Sequence, residues 1–176
     1  MCVVALDNQT IRLAVKTYNT EETIERYGLI KDWDVSGVTD MRNLLGAYTL
    51  FSDGYYPEFN EDLFKWDVSN VTDMSFMFAQ AYTFNADLSD WNVSNVVSME
   101  GMFIRAFKFD CDLSRWDISN VRNTSQMFME ARAFSHSLVA WDMTNVESML
   151  DMFKHSENYP MAGNIRELSF VRSTQF

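Results

Sequence analysis

Carboxylate and amide side chains recur at fixed positions of this sequence and are the groups best suited to chemistry. The residue after each tryptophan is acidic or an amide, and the members are Asp34, Asp67, Asn92, Asp117 and Asp142. A regular row of carboxylates could bind calcium, which prefers oxygen ligands. Because the sequence lacks a Gly-rich ligand loop of the usual spacing, we interpret the row as turn and capping residues, with calcium as the alternative.

The histidines and cysteines give little sign of enzymatic chemistry. His136 and His155 lie at unmatched positions of different repeats, and neither has a nucleophile at a recognisable spacing. No phosphate-binding loop, dinucleotide fingerprint or zinc spacing occurs. Cys2 and Cys111 fit neither a metal site nor a disulfide framework. We therefore predict a non-enzyme with no cofactor and no metal site.

A repeat positions all of these side chains. Trp66, Trp91, Trp116 and Trp141 recur at an interval of 25 residues, and Trp33 precedes them by 33. Each tryptophan starts the phrase Trp-Asp/Asn-Val/Ile/Met-Ser/Thr-Asn/Gly-Val. An insertion in the first unit, residues 52 to 59, explains the longer first interval.

The pattern within each unit predicts one short strand and one short helix. Asp-Leu-Ser-x-Trp-Asp-Val-Ser is rich in residues that suit an extended, pleated surface. Met-x-x-Met-Phe-x-x-Ala-x-x-Phe places its apolar residues along one face of a helix. Such a short unit must bury its apolar residues against its neighbours. The sequence therefore predicts an α/β repeat, a solenoid of five coils with short parallel strands and short helices.

One phrase of the repeat carries a resemblance to a known family. It reads Trp-Asp-Val-Ser-Asn-Val-Thr-Asp-Met-Ser-Phe-Met-Phe at residues 66 to 78, with copies from about Trp33 to Tyr159. This phrase resembles the repeat of BspA-like surface proteins, which are related to leucine-rich repeats and occur in bacteria, protists and large DNA viruses. The resemblance implies a right-handed, leucine-rich-repeat-like solenoid used for binding or adhesion, and it supplies no catalytic residues.

The ends of the chain depart from the repeat. We predict three parts: residues 1–29 as an N-terminal helical cap, residues 30–159 as the five-coil solenoid with the insertion 52–59, and residues 160–176 as a C-terminal cap or tail. In the last part, Leu168, Phe170 and Val171 could cover the final coil.

The N-terminal part has the capping signals of two helices. Asp7 or Asn8 can cap a helix near residues 8 to 18, and Asn19 with Glu22 resembles a capping box for a helix near residues 20 to 27. Two helices at this end would cover the apolar face of the first coil, which would otherwise be exposed.

Two further rows of residues predict contacts between neighbouring coils. Asparagine recurs four residues after the tryptophan, at Asn70, Asn95, Asn120 and Asn145. Asparagine readily takes a left-handed turn, and stacked amides can pair from coil to coil. The residues before the tryptophans alternate in charge as Asp32, Lys65, Asp90 and Arg115, which predicts a ladder of ion pairs.

Charge and hydropathy limit the classes of partner. The net charge of -11 and the pI of about 4.5 argue against a nucleic acid or an anionic membrane as partner. No run of 18 apolar residues and no basic-then-apolar N-terminal signal occurs. We expect an intracellular or virion-associated protein, or a cell-surface protein if the chain is processed.

Apolar residues outside the repeated core positions predict a contact surface. On the side assigned to helices they form what we call the apolar wall: Phe76, Tyr82, Ile104, Phe107, Met129 and Leu150. The insertion adds Tyr55, Tyr56 and Phe59. Grouped exposed aromatic residues favour binding of a protein, whereas sideways packing between coils would explain them as structural residues.

The expected function is a non-catalytic protein-protein interaction or structural module, a subunit of a larger cellular or viral assembly. The alternative is a cell-surface adhesin or carbohydrate-binding solenoid, in which tryptophan edges and Asp/Asn side chains meet sugars. A third hypothesis, ice or mineral binding, requires a regular lattice of Thr or Asp. Phe64 and Val139 interrupt the serine column beside the tryptophans, which argues against this hypothesis.

Overall fold

Two short helices form where the N-terminal capping signals predict them. A computed structural model describes residues 4–46 and 59–159. Helix α1 is Thr10–Ala14, followed by the 3₁₀ turn Val15–Thr17, and helix α2 is Glu21–Tyr27, followed by the 3₁₀ turn Ile30–Asp32. Both helices lie inside the predicted ranges, so their prediction is confirmed.

The caps of these helices agree in part with the sequence. The Asp7 carboxylate accepts hydrogen bonds from the amides of Gln9 and Thr10 at 2.9 and 2.8 Å, which satisfies two donors at the start of α1. Thr20, and not Asn19, is the N-cap of α2, because its hydroxyl accepts from the Thr23 amide at 3.4 Å.

The predicted α/β solenoid is wrong. In residues 4–46 and 59–159 the structure has α1, α2 and the two 3₁₀ turns, but no β-strand and no helix within the repeat units. Neighbouring units touch through isolated parallel bridges of one residue each, namely Asp40–Asp73, Asp73–Ser98, Ser98–Asn123 and Asn123–Ser148. The leucine-rich-repeat-like architecture of parallel strands and helices is therefore not present.

Backbone conformation explains the absence of the predicted helices. Residues ten and fourteen positions after the tryptophan have φ between 55 and 60°. They are Asn43, Phe76, Gly101, Gln126 and Asp151, and Gln80, Arg105, Glu130 and His155. An α-helix requires negative φ throughout, so the chain forms successive tight turns instead. Typical turn bonds run from the Met77 amide to the Met74 carbonyl, at 3.1 Å.

These turns also prevent strands, although neighbouring units are hydrogen-bonded in register. The amides of Met74, Phe76, Phe78 and Gln80 donate to carbonyls of the next unit at 2.7 to 2.9 Å. The same alternate-residue pattern joins each described pair of neighbouring units. A β-strand needs an extended backbone, whereas here left-handed residues interrupt the segment.

The core lies inside the stack of units and is built from columns of equivalent residues. Phe78, Phe103, Phe128 and Phe153 stack with ring centroids 5.5 to 5.6 Å apart. Tyr159 ends a second column that contains Phe84, Phe109 and Phe134. The apolar residues at the repeated positions are nearly all below 5% exposed. Each unit thus buries its apolar side chains largely against its neighbours.

The tryptophan and asparagine rows also join neighbouring units. The Trp91 indole N–H donates to the Leu63 carbonyl of the preceding unit at 3.1 Å, and Trp66, Trp116 and Trp141 make the equivalent bond. Trp33 donates instead to the Gly28 carbonyl at 3.1 Å. The side-chain amide of Asn95 donates to the backbone carbonyl of Ser69 at 2.7 Å. The predicted pairing of asparagine amides and their left-handed turns are wrong, because this row bonds backbone carbonyls and has no positive φ.

Helix α1 covers the open side of the first unit. The Arg12 guanidinium donates to the carbonyls of Arg42 and Asp40 at 2.8 and 3.3 Å. The Asn8 carboxamide oxygen accepts from the amides of Thr39 and Asp40 at 2.8 and 3.1 Å. Polar groups of the first unit are thus satisfied by side chains of the N-terminal segment.

The predicted ladder of charged residues forms in part. Two pairs of the predicted charge ladder form, Lys65 with Asp32 at 2.8 Å and Arg115 with Asp90. All four side chains are more than a third exposed, so these pairs contribute little to stability. No helix in the described ranges is long and apolar enough to cross a bilayer.

Candidate functional site

The residues predicted to bind a partner differ in how far they are exposed to solvent. Leu150 is 69% exposed, whereas the other five residues of the apolar wall are half-buried. Tyr55 and Tyr56 lie outside the described residues. Phe59 is 3% exposed and stacks on Phe84 at 5.9 Å. Phe59 therefore belongs to the core and cannot present its ring to a partner.

Tyr82, Phe107 and Arg132 form an ordered ladder, which we call the aromatic ladder. The rings of Tyr82 and Phe107 stack with centroids 4.9 Å apart, and the Arg132 guanidinium lies 4.5 Å from the Phe107 ring centroid. These residues occupy the same position in three successive units. The unit-to-unit hydrogen bonds, such as that from the Ala133 amide to the Phe107 carbonyl at 3.2 Å, fix their spacing.

Ile104 and Met129 occupy one position in successive units, three residues before the ladder position. Their carbonyls accept from the amides of Gln80 and Arg105 at 2.8 Å, so their backbone is held in register. Both side chains are half-buried. Leu150 lies at a different position of its unit, the one that Ser125 occupies in the preceding unit.

Packing between units accounts for Phe76. A methyl group built on Gly101 would lie 2.3 Å from the Phe76 ring, so the ring lies directly over this glycine. Gly101 is also the only glycine among the equivalent left-handed residues of the described repeats. Phe76 therefore packs sideways between units, which is the structural explanation that the sequence left open.

An open groove between the second and third units was missed by the sequence interpretation. It has a volume of about 370 Å³, and its lining residues are Asn60, Asp62, Phe64, Ala86, Asp87, Ser89, Asp90 and Trp91. The Phe64 ring is 54% exposed, which is unusual for a phenylalanine. The available sequence signal was Phe64 itself, which stands where two of the following units have serine.

The carboxylates of the groove accept hydrogen bonds. The Asp62 carboxylate accepts from the Phe64 amide at 3.0 Å, and Asp87 accepts from the Ser89 amide at 2.9 Å. The hydrogen bond from the Ser89 backbone lowers the pKa of Asp87 below its ordinary value. A carboxyl with a lowered pKa is a poor proton donor near neutral pH. The oxygen atoms of the groove can therefore bind hydroxyl or cationic groups.

Cys111 and His136 each contact residues of a neighbouring part of the repeat. Cys111 is buried and accepts from the Leu88 amide at 3.3 Å, and burial raises the pKa of its thiol to about 11. A protonated thiol is a weak nucleophile. His136 contacts the Asp110 carbonyl through Nε2 at 2.9 Å. Among residues 4–46 and 59–159, no group of three or more His, Cys, Asp or Glu residues is placed to hold a metal ion.

One protein-family model matches most of the chain. The family model described as "Mycoplasma protein of unknown function, DUF285" matches residues 14–54 and 47–164. Neither a curated protein nor a solved structure matches the chain. Because the family model covers most of the 176 residues, the chain belongs to the DUF285 family.

Proposed function

We propose that this chain is a non-catalytic module that binds another protein and serves as a subunit of a larger assembly, cellular or viral. The aromatic ladder, with Ile104 and Met129 near it along the chain, is the observation that carries the proposal. We also propose that the repeats are of the BspA-like type, on the strength of the phrase at residues 66 to 78.

The chemistry of the aromatic ladder supports a protein partner. Tyrosine, phenylalanine, methionine and arginine are enriched at protein interfaces, and tyrosine and arginine often dominate the binding energy. Stacking between Tyr82 and Phe107 and the hydrogen-bonded backbone already order these groups. These side chains would therefore lose less conformational entropy when a partner binds than mobile side chains would.

The test is a pair of substitutions on this surface. The native assembly is first purified from its source, and the partner that lies against Phe107 is identified by cross-linking mass spectrometry. We then expect Ile104→Ser with Phe107→Ser to weaken association about 30-fold or more, because one hot-spot side chain contributes about 2 kcal/mol. Binding is measured by calorimetry with the identified partner.

The matched control is Val97→Ser, since Val97 is an apolar residue of the same repeat that is 41% exposed outside the wall. We expect this variant to bind normally. Circular dichroism and thermal unfolding show whether each variant keeps the fold. Unchanged affinity of a folded double variant would refute this surface as the binding site.

A glycan-binding module is the second candidate function, and the groove around Phe64 supports it. An exposed ring beside carboxylate and amide oxygens offers both an apolar platform for a sugar face and acceptors for its hydroxyl groups. We expect Phe64→Ala to abolish binding on a glycan array in this case. Val139→Ala is the matched control, because Val139 has the same position in the fifth unit and is 68% exposed.

A further inference from the structure

The stack of units has different chemistry at its two ends. In each described contact between neighbouring units, alternate backbone amides of one segment of the earlier unit, beginning eight residues after its tryptophan, donate to carbonyls of the later unit. A few other amides, such as those of Arg122 and Ala133, donate in the opposite direction. The contact between the fourth and fifth units shows the pattern fully. The amides of Thr124, Gln126, Phe128 and Glu130 donate to the carbonyls of Ser148, Leu150, Met152 and Lys154 at 2.8 to 2.9 Å. Along this segment the first unit therefore ends the stack with carbonyls, and the fifth ends it with amides.

The fifth unit presents four equivalent amides, which we call the donor edge: those of Met149, Asp151, Phe153 and His155. None of these four amides has a hydrogen-bond acceptor within residues 4–46 and 59–159. Leu150, between the first two, is 69% exposed. Regularly spaced unpaired amides beside an exposed apolar side chain form a template for pairing with another polypeptide segment.

A second copy of this chain does not fit the donor edge. The complementary carbonyls of its first unit include those of Asp40 and Arg42, and both already accept hydrogen bonds from Arg12. Asn8 bonds the adjoining amides of Thr39 and Asp40. The N-terminal segment thus already occupies two of the four complementary carbonyls of the first unit.

We propose that the donor edge binds a repeat-like segment of a partner protein, which stacks on the fifth unit as a further unit. The segment supplies carbonyls at alternate residues to the four amides and an apolar side chain to Leu150. The four contacts between units within this chain show the geometry of such an interface, and the donor edge continues it. This site is separate from the aromatic ladder.

Amide hydrogen exchange of the full chain, measured by NMR, tests the first half of the proposal. We expect the four donor-edge amides to exchange about 100-fold faster than those of Thr124, Gln126, Phe128 and Glu130, whose acceptors lie in the fifth unit. Equal protection in the isolated chain would overturn the proposal. A dependence of that protection on protein concentration would assign it to a second copy, and independence to this chain's own residues.

A synthetic peptide that copies residues 145 to 157 tests the second half. This segment supplies the carbonyls in the contact between the fourth and fifth units, so it is a direct probe of the donor edge. At a peptide concentration ten times Kd, exchange of the four amides should slow about tenfold, while the amides of the fourth unit stay unchanged. A peptide of the same composition in scrambled order is the control.

Substitutions distinguish this site from the aromatic ladder. Leu150→Asp should remove the effect of the peptide, and normal protection of the fourth-unit amides would show that this variant is folded. Ile104→Ser with Phe107→Ser should leave the peptide effect intact. If the peptide slows no amide of the donor edge in the unmodified chain, the proposal fails, whatever the aromatic ladder binds.

Discussion

The tyrosine that ends one column of the core differs from its neighbours by one hydroxyl group. Phe84, Phe109 and Phe134 occupy the equivalent positions, and the Tyr159 side chain is 2% exposed. Its hydroxyl makes no hydrogen bond of normal geometry in the described structure. A buried hydroxyl without a partner costs free energy, because it has lost its bonds to water.

We therefore expect Tyr159→Phe to raise the free energy of unfolding by about 1 kcal/mol at neutral pH. Burial raises the pKa of this tyrosine from 10.0 to about 12. The folded state then holds the proton more tightly than the unfolded state, so unmodified protein loses stability as the pH rises from 10 to 12. Urea unfolding at neutral pH checks the first statement, and urea unfolding between pH 10 and 12 checks the second. A variant that is less stable than the parent at neutral pH would contradict the first.

The last four repeat tryptophans each donate one hydrogen bond to the preceding unit, and Trp91 is an example. Trp91→Phe leaves the Leu63 carbonyl without its donor and removes part of a side chain that is 4% exposed. We expect a loss of about 2 to 3 kcal/mol in urea unfolding. Val97→Thr, at an exposed site of the same unit, should change stability by less than about 0.5 kcal/mol.

Residue roles were predicted well where the chemistry is local. The carboxylates after the tryptophans do cap turns, as Asp117 shows by accepting from the Ser119 amide at 3.0 Å. The asparagine row was correctly given a structural role, but its hydrogen-bond partners were predicted wrongly. Its carbonyl acceptors lie 26 residues away in the preceding unit for Asn95, Asn120 and Asn145, and a sequence pattern does not show which group lies opposite.

At the scale of elements, left-handed residues determine the form of each unit. Among residues 4–46 and 59–159, eight residues other than glycine have positive φ, which costs about 1 kcal/mol or more each for a residue with a Cβ. Gly101 avoids that cost and also leaves space for the Phe76 ring. The hydrogen bonds between units keep the other residues in this conformation despite its cost.

We expect Gly101→Ala to destabilise the protein by about 2 kcal/mol or more, because it adds backbone strain and a clash with Phe76. The double variant with Phe76→Ala should recover the part due to the clash. Gln126→Gly, at the equivalent position, should be neutral or stabilising by up to about 1 kcal/mol. Thermal unfolding measures all three, and additive effects of the Gly101 and Phe76 changes would exclude the clash.

The error in the predicted elements has a physical cause. Apolar residues at i, i+3, i+4 and i+7 suit one face of a helix, but they equally suit consecutive tight turns that are stacked against copies of themselves. Residues such as Arg105 and Glu130 show no preference for positive φ, so no local signal marks where the helix is broken. By contrast, Thr20 and Gly28 bound α2 with ordinary capping chemistry, and that helix was predicted correctly.

For the whole molecule, stability is expected to depend on the rows of carboxylates. Hydrogen bonds from the residue two positions later lower the pKa of Asp67, Asp87, Asp112, Asp117 and Asp142. The unfolded state then binds protons more readily than the folded state. The resulting stability is present above the ordinary value of 3.8 and is lost as the pH falls through and below it.

Thermal unfolding between about pH 7 and pH 2.5 checks this expectation, and the midpoint should fall steeply below about pH 4. Asp117→Asn should reduce the acid sensitivity, since asparagine keeps the acceptor oxygen and already stands at the equivalent position as Asn92. A midpoint that is constant or rises down to pH 2.5 would contradict this role of the carboxylates.

The sequence predicted the two N-terminal helices, because capping residues are visible in one dimension. It missed the groove at Phe64, which forms only when residues of two neighbouring units come together. It also grouped Leu150 with the aromatic ladder, although the two occupy different positions of the unit. Surfaces of a repeat protein depend on register between units, and register follows from the bonds between them.

The indole column gives the molecule an internal optical reporter. Trp33 and Trp66 are stacked with ring centroids 6.2 Å apart and an angle of 11°, and Trp66 and Trp91 are 6.5 Å apart at 3°. Chromophores so close couple their ultraviolet transitions. Separation of two neighbouring units would remove this coupling, so the near-ultraviolet circular dichroism of the indoles should report whether the stack is intact.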